Sequence, residues 1–343
     1  QGNSFSGSDS PLKRRSRLAQ RLQEALLEAE VPLQSRFLLC VSGGSDSMAL
    51  LHLFKEIIPS SHLHILHCNH GVRTEAYHDA AFVREQAKLL QIPIHLRIHG
   101  GLKQLPSGFQ AVAREWRRQE AERLCKLLKL SFIVQGHHKE DQLETRVHRI
   151  LRGTHLSNFQ GIQVKQGHWL RPLLGFTKLE LRNYLLKNDL LWKEDPSNAD
   201  KKYTRNYLRH EVIPKLQQVA GGALEHRLEE LSLQSLALQE HLHAERETIW
   251  SKVCVQESDV LKLRNLELIR LSDLVCWEIL HHWLKMNHLN PSFERLQGLA
   301  KQVKKSPRTP WCWQIGKGWQ VRSKSSQLTL EQIVDASTKV LRD

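Results

Sequence analysis

The chain has 343 residues, 40% of them hydrophobic and 25% charged, which is enough apolar material for two domains with cores of their own and excludes a disordered chain. Its 50 lysines and arginines stand against 36 acids, a net charge of +14, so an anionic partner is expected, nucleic acid before any other. No apolar run reaches the roughly 18 residues of a membrane helix, and six scattered cysteines without a Cys-x-x-Cys pair fit a reducing, cytoplasmic setting better than a zinc or disulfide framework.

Gly2-Asn3-Ser4-Phe5-Ser6-Gly7-Ser8 lacks an apolar signal core, so residues 1–20 read as a flexible leader and residues 21–216 as the first domain. Arg36-Phe37-Leu38-Leu39-Cys40-Val41 is a short, unbroken apolar run closed by two glycines, the pattern of a buried strand. Met48-Ala49-Leu50-Leu51-His52-Leu53-Phe54 reads as the first turns of a helix. Between them lies Ser42-Gly43-Gly44-Ser45-Asp46-Ser47. Strand, glycine-hydroxyl loop and helix N-terminus together make an anion site. Backbone N–H groups converge, the helix dipole favours negative charge, and Ser42, Ser45 and Ser47 add hydroxyl donors. Asp46 would be out of place beside a bare phosphate, and its natural task is to hold a Mg²⁺ that bridges phosphate oxygens. The absence of a lysine separates this loop from the Gly-x-x-x-x-Gly-Lys-Ser/Thr phosphate loop.

Further strands are expected at His62–His67, Ile92–Ile98, Ser131–Gln135 and His168–Leu173, after the first at Phe37–Val41. Helices are expected at Met48–Glu56, Ala76–Leu90, Phe109–Leu128 and Lys139–Arg152. Such alternation predicts an α/β fold with a parallel, Rossmann-like sheet and its functional groups at the carboxyl ends of the strands. Two motifs fall there: His67-Cys68-Asn69-His70-Gly71-Val72-Arg73 and Gly136-His137-His138-Lys139-Glu140-Asp141-Gln142-Leu143-Glu144. Asp141 and Glu144 share a helix face and suit Mg²⁺ or an ammonium group. Neighbouring histidines point in different directions, so neither His137-His138 nor His281-His282 is expected to bind metal. Arg114 and Arg118 share another helix face. Arg205 and Arg209, interleaved with Tyr203 and Tyr207, have the spacing to clamp one anion.

The texture changes at Gln217–Gly222. Leu224–Leu284 is rich in Leu, Glu and Gln at helical spacing, so residues 223–330 read as a smaller, mainly helical domain, followed by a tail at 331–343. Lys301–Arg308 is a basic stretch, and Trp311–Val321 has the pattern of a hairpin with glycine at its turn.

Ser42–Ser47 resembles the loop of the N-type ATP pyrophosphatases, the PP-loop superfamily. Within it, His67–Arg73, Ala113-Arg114, Gly136–Thr145, Arg152-Gly153, Asp195-Pro196-Ser197-Asn198 and Arg205-Asn206 resemble the tRNA(Ile)-lysidine synthetases. Two departures stand out: Glu140 where an Asp is usual, and Trp116-Arg117-Arg118 in place of an Arg-Tyr pattern. The resemblance implies an enzyme that uses ATP and Mg²⁺ to adenylate the wobble cytidine of a tRNA(Ile) with a CAU anticodon. Free lysine then replaces AMP at C2. It implies ATP contacts from Ser42, Gly43, Gly44, Ser45, Asp46, Ser47, Asn69, Gly136 and His137, and metal contacts from Asp46 and Asp141. Lysine falls to Asp141 and Glu144, and tRNA to Arg114, Arg118, Arg205 and Arg209. The reacting set is Asp46, Asp141, Glu144, Arg114 and Arg205. The resemblance implies no membrane partner and leaves a homodimer open. A tRNA 2-thiolation enzyme and an inactive RNA-binding protein are the rival readings.

Overall fold

The computed structural model describes residues 15–69, 75–99, 109–153, 159–194, 204–257, 260–316 and 318–333. The chain divides into two compact units, one of residues 1–145 and 162–214, the other of residues 146–161 and 215–343.

In the first unit, α1 (Arg17–Glu28) starts where Ser16 accepts the Ala19 N–H at 3.1 Å, and it sends Ala19, Leu22 and Leu26 into the core. The expected leader therefore gives way to ordered helix by Arg17, while residues 1–14 lie outside the described residues. Then come β1 (Phe37–Cys40), α2 (Ser45–Ile57), β2 (Leu63–Asn69), α3 (Glu75–Leu89), β3 (Ile94–Ile98), α4 (Phe109–Leu127), β4 (Phe132–Val134) and α5 (Lys139–Arg152). Next are β5 (Lys165–Gln166), β6 (Trp169–Leu170), α6 (Lys178–Lys187), α7 (Thr204–Tyr207) and α8 (Ile213–Val219); α5 and α8 run on across the division between units. Among the described residues the strands form one sheet in the order β3-β2-β1-β4-β6-β5, parallel except for β5 against β6.

The expected parallel α/β fold is present, and its central strand is the run foreseen: Phe37, Leu38 and Leu39 are fully buried. Phe37 packs edge-on against Phe54 of α2, with ring centroids 5.3 Å apart. Glu56, on the far side of α2, accepts the Ser16 N–H at 2.8 Å and the Tyr184 hydroxyl at 2.6 Å, tying α1 and α6 to one carboxylate. Thr177 and Glu180 form a reciprocal capping box that starts α6.

The second unit contains α9 (Leu224–Val253), β7 (Cys254–Glu257), β8 (Val260–Arg264), α10 (Asn265–Leu268), α11 (Asp273–Met286) and α12 (Phe293–Lys305), followed by β9 (Trp311–Gly316), β10 (Trp319–Lys324) and β11 (Gln327–Gln332). The predicted hairpin is β9–β10. Helices predominate as expected, and an antiparallel sheet in the order β7-β8-β11-β10-β9 stands beside them. Cys254-Val255-Gln256-Glu257 and Val260–Arg264 pair with each other in the stretch that reads as continuous helix. Trp283 anchors this core, fully buried, and donates its indole N–H to Leu261 O at 3.0 Å.

Gly298 lets α12 approach β9: a Cβ there would stand 2.5 Å from Trp313 Cζ2. Gly298→Ala should destabilise this unit by about 1–3 kcal/mol through overpacking. Urea unfolding would read the change, and unaltered stability would show that Trp313 moves aside freely. Among the described residues no helix is long and apolar enough to cross a membrane.

Candidate functional site

The candidate site lies in the first unit, where β1 and β4 deliver their carboxyl ends to the starts of α2 and α5. Gly43 turns the loop after β1 at φ +97°, a left-handed conformation that suits glycine. Ser47 shapes the loop from within. Its Oγ accepts the N–H groups of Ser42 and Gly43, each at 3.2 Å, and donates to Gly44 O at 2.9 Å. Ser47 was expected to offer a hydroxyl to a ligand; it is instead buried and spent on the fold of the loop. The amides of the first turn of α2, which have no acceptors within the helix, point off its N-terminus. Lys193 N–H closes the far side by donating to Gly43 O at 2.9 Å.

Gly136, after β4, runs against this loop so closely that a Cβ would stand 3.2 Å from Asp46 O. Gly136→Ala should therefore push the loop out of shape and weaken binding of an ATP analogue by about tenfold, of the order expected for overpacking. Calorimetry is the check, and unchanged affinity would show that the loop yields without loss.

Asp46 stands in the first turn of α2, with Ser45 Oγ donating to its Oδ1 at 3.2 Å. Its Oδ2 lies 3.5 Å from His138 Nε2, and Asp141 Oδ2 lies 3.5 Å from the same nitrogen. Burial pushes the Asp46 carboxyl up, but His138, Lys178 and the Ser45 hydroxyl outweigh it and hold the group below the usual carboxylate range. Burial alone would lower His138; its contacts with Asp46 and Glu140 instead bring it up to about 9, so it is a cation at neutral pH. Its neighbour behaves oppositely. Burial first, then the charges of Arg171, Arg114 and Arg205 against the pull of Asp141, push His137 down to about 4. Glu140 accepts the Lys178 N–H that starts α6 and faces His138 Nδ1 at 2.9 Å, so the Glu in place of Asp holds a structural junction.

Asp141 accepts the His138 N–H at 3.0 Å and Arg209 Nη2–H at 3.3 Å. Arg209 Nε–H donates to Glu144 Oε1. Burial raises the Glu144 carboxyl in spite of Arg209. Arg209 was expected on an RNA phosphate beside Arg205; it sits on the acids instead, held by the widened, π-helical turn Leu208–Val212. Arg118 pairs with Glu122 at 3.0 Å on an exposed stretch of α4. Shielding from water, then the like charges of Arg205, Arg117 and Arg118, hold the Arg114 guanidinium below its ordinary range, so Arg114 and Arg205 share a positive region. Asn69, the last residue of β2, is buried at the same sheet edge. His70–Arg73, Asp195–Asn198 and Lys201–Tyr203 lie outside the described residues.

Residues 14–216 match the PP-loop domain model. The chain belongs to the PP-loop family. Residues 267–329, in the second unit, match the model described as the TilS substrate binding domain. The PP-loop chain is 35% identical over 211 residues to the tRNA(Ile)-lysidine synthase of Synechococcus sp., covering 60% of this chain and 63% of that one. It is also 35% identical over 214 residues to that of Chlorobaculum tepidum, covering 60% and 64%. It thus spans under two thirds of these curated relatives. A solved U34-tRNA thiolase, NcsA of Methanococcus maripaludis, has the same PP-loop fold, with a TM-score of 0.54 at 14% identity over 64% of this chain and 78% of that one.

Three residues at the candidate site had no binding or catalytic role expected from the sequence. His138 was set aside with its neighbour as a non-ligand, and among the described residues no three His, Cys, Asp or Glu side chains are arranged to hold a metal ion. The signal for His138 was its position three residues before Asp141, at the start of a helix. Arg171 follows β6, which pairs with β4, the strand that precedes Gly136-His137, and its place just past a parallel strand was the clue. Lys178 had no signal, because a turn of chain rather than a motif brings it to Asp46.

Proposed function

We propose that the chain joins lysine, through its ε-amine, to C2 of the wobble cytidine of a tRNA(Ile) with a CAU anticodon, consuming ATP and releasing AMP and pyrophosphate. The observation that carries this reading is the meeting, at one sheet edge, of a phosphate-shaped loop holding Asp46 with a second acid pair, Asp141 and Glu144, already seated on a cation. The names of the relatives and the match of residues 267–329 support the same reading.

The C2 oxygen of cytidine is a poor leaving group, and adenylation makes it one that departs as AMP. The loop amides and Arg114 and Arg205 would stabilise the charge that develops on the phosphates. Asp46 and Asp141, whose Oδ2 atoms each lie 3.5 Å from His138 Nε2, supply the hard carboxylate oxygens that would hold a Mg²⁺. When bound, that ion supplies charge stabilisation to the departing pyrophosphate. The attacking amine needs help of its own. With a pKa near ~10.4, only about one lysine side chain in a thousand is neutral at about pH 7.4. Asp141 and Glu144 would hold the ammonium, and one of them would take its proton.

A thiolation reading would need an accessible thiol at the site. Cys40 and Cys68 are pushed up to about 12, chiefly by burial, and pack in the cluster that includes Leu124 and Cys125 of α4. That environment makes inert thiols, not sulfur carriers. Incubation with labelled lysine, ATP and total tRNA tests the proposal: label should appear on tRNA only when ATP is present. AMP formation with no lysine on the tRNA would reject it.

The basic stretch in the second unit supports a polyanionic substrate. Lys301, Lys305 and Arg308 are exposed, whereas Lys304 is engaged with Asp273 at 2.5 Å. Replacing Lys301, Lys305 and Arg308 by Gln should weaken tRNA binding and flatten its log–log salt dependence by up to about 0.9 per lost phosphate contact. Filter binding across a salt series reads this, and an unchanged slope would free these residues of any phosphate role.

A further inference from the structure

The acid pair of α5 is used unequally. Asp141 Oδ2 turns to His138, close to Asp46, whereas Asp141 Oδ1 and Glu144 Oε1 both meet Arg209. The Glu144 side chain is only 5% exposed and that of Arg209 28%, so the guanidinium covers a carboxylate that water barely reaches. A buried carboxylate left bare is costly, and Arg209 removes that cost in the free protein.

Its charge does more than that. The guanidinium already offsets one of the two carboxylates, so a singly charged ammonium adds less unbalanced positive charge here than a divalent ion, which would stand beside a guanidinium in hydrogen-bond contact with the same acids. Mg²⁺ also demands an octahedral set of oxygens, and the oxygens that Asp141 and Glu144 turn to this side are already accepting from Nη2 and Nε. We infer that Arg209 is a specificity-determining residue that reserves the Asp141–Glu144 seat for the substrate's ammonium group and denies it to the divalent metal, which is left to the Asp46 side. The inference rests on the reading that lysine is the substrate. The widened turn Leu208–Val212 is the device that aims the side chain, since an extra residue in a helical turn redirects those on it.

The test compares the wild type with Arg209→Met, which removes the charge, and Arg209→Lys, which keeps it. Bound Mn²⁺ is counted by electron paramagnetic resonance in the presence of a non-hydrolysable ATP analogue, and the lysine KM is measured as Mg²⁺ is raised. Arg209→Met should bind one more Mn²⁺ than the wild type, and its lysine KM should climb by about tenfold with Mg²⁺ as the two cations compete. The wild type and Arg209→Lys should show neither effect. An unchanged Mn²⁺ count with a Mg²⁺-independent KM in Arg209→Met would overturn the inference. So would Arg209→Lys behaving like Arg209→Met, because shape rather than charge would then matter. Should Arg209→Met fail to fold by circular dichroism, Arg209→Gln carries the same comparison. Failure of the wild type to attach lysine to tRNA would reject the substrate reading, while the Mn²⁺ count would still judge the role of Arg209.

Discussion

An Asp46→Asn variant is expected to form AMP and pyrophosphate at least about a thousandfold more slowly than the wild type, a loss of about 4 kcal/mol of transition-state stabilisation. Its affinity for tRNA should stay within about twofold. Asp46 is the only carboxylate in the loop, and it is kept ionised by a charged His138, Lys178 and the Ser45 hydroxyl. Asparagine preserves the volume and can still accept from Ser45, so the fold of the loop survives while the charge does not. The loss should therefore fall on chemistry and not on RNA binding. Chromatographic measurement of AMP, paired with filter binding of tRNA, separates the two. Substantial AMP formation by the variant would take Asp46 out of metal binding.

The second large effect is expected at Glu144. Glu144→Gln keeps an oxygen for Arg209 to donate to but removes the charge that attracts an ammonium. A hydrogen bond to a charged group contributes about 1.5–3 kcal/mol, so the lysine KM should rise by roughly 10- to 100-fold. Adenylation, measured as tRNA-dependent AMP formation without lysine, should change by no more than about threefold. The geometry motivates this split, because the bonded oxygen of Glu144 meets Arg209, whereas Asp46 and Asp141 share the His138 side. Collapse of adenylation with intact lysine affinity would move Glu144 into the metal shell.

What could be read before the fold was known depended on how locally each feature is encoded. Helix α5 has the expected bounds, Lys139–Arg152, because its acids lie in the first turn and its arginines in the last. The loop was legible because Gly-Gly between an apolar run and a helix leaves few alternatives. Strands β7 and β8 were not: Cys254–Arg264 borders long helices and shares their leucine content, and only pairing with each other and with β11 makes it a sheet. The partners of Ser47 and Arg209 were not legible for a related reason. Motif reading treats a polar side chain as available to a ligand, whereas both are consumed by partners, Ser47 within its own turn and Arg209 on acids more than 60 residues earlier in the chain.

The loop held by Ser47 has a thermodynamic consequence. Its amides are arranged before any nucleotide arrives: Ser47 fastens them from inside, Lys193 from one side, and Gly136 abuts them from another. The entropy of ordering that cradle is thus lost once, during folding, rather than at each turnover. A phosphate entering it has only its own motion and hydration to give up, so the cradle can release its product and accept the next nucleotide without refolding.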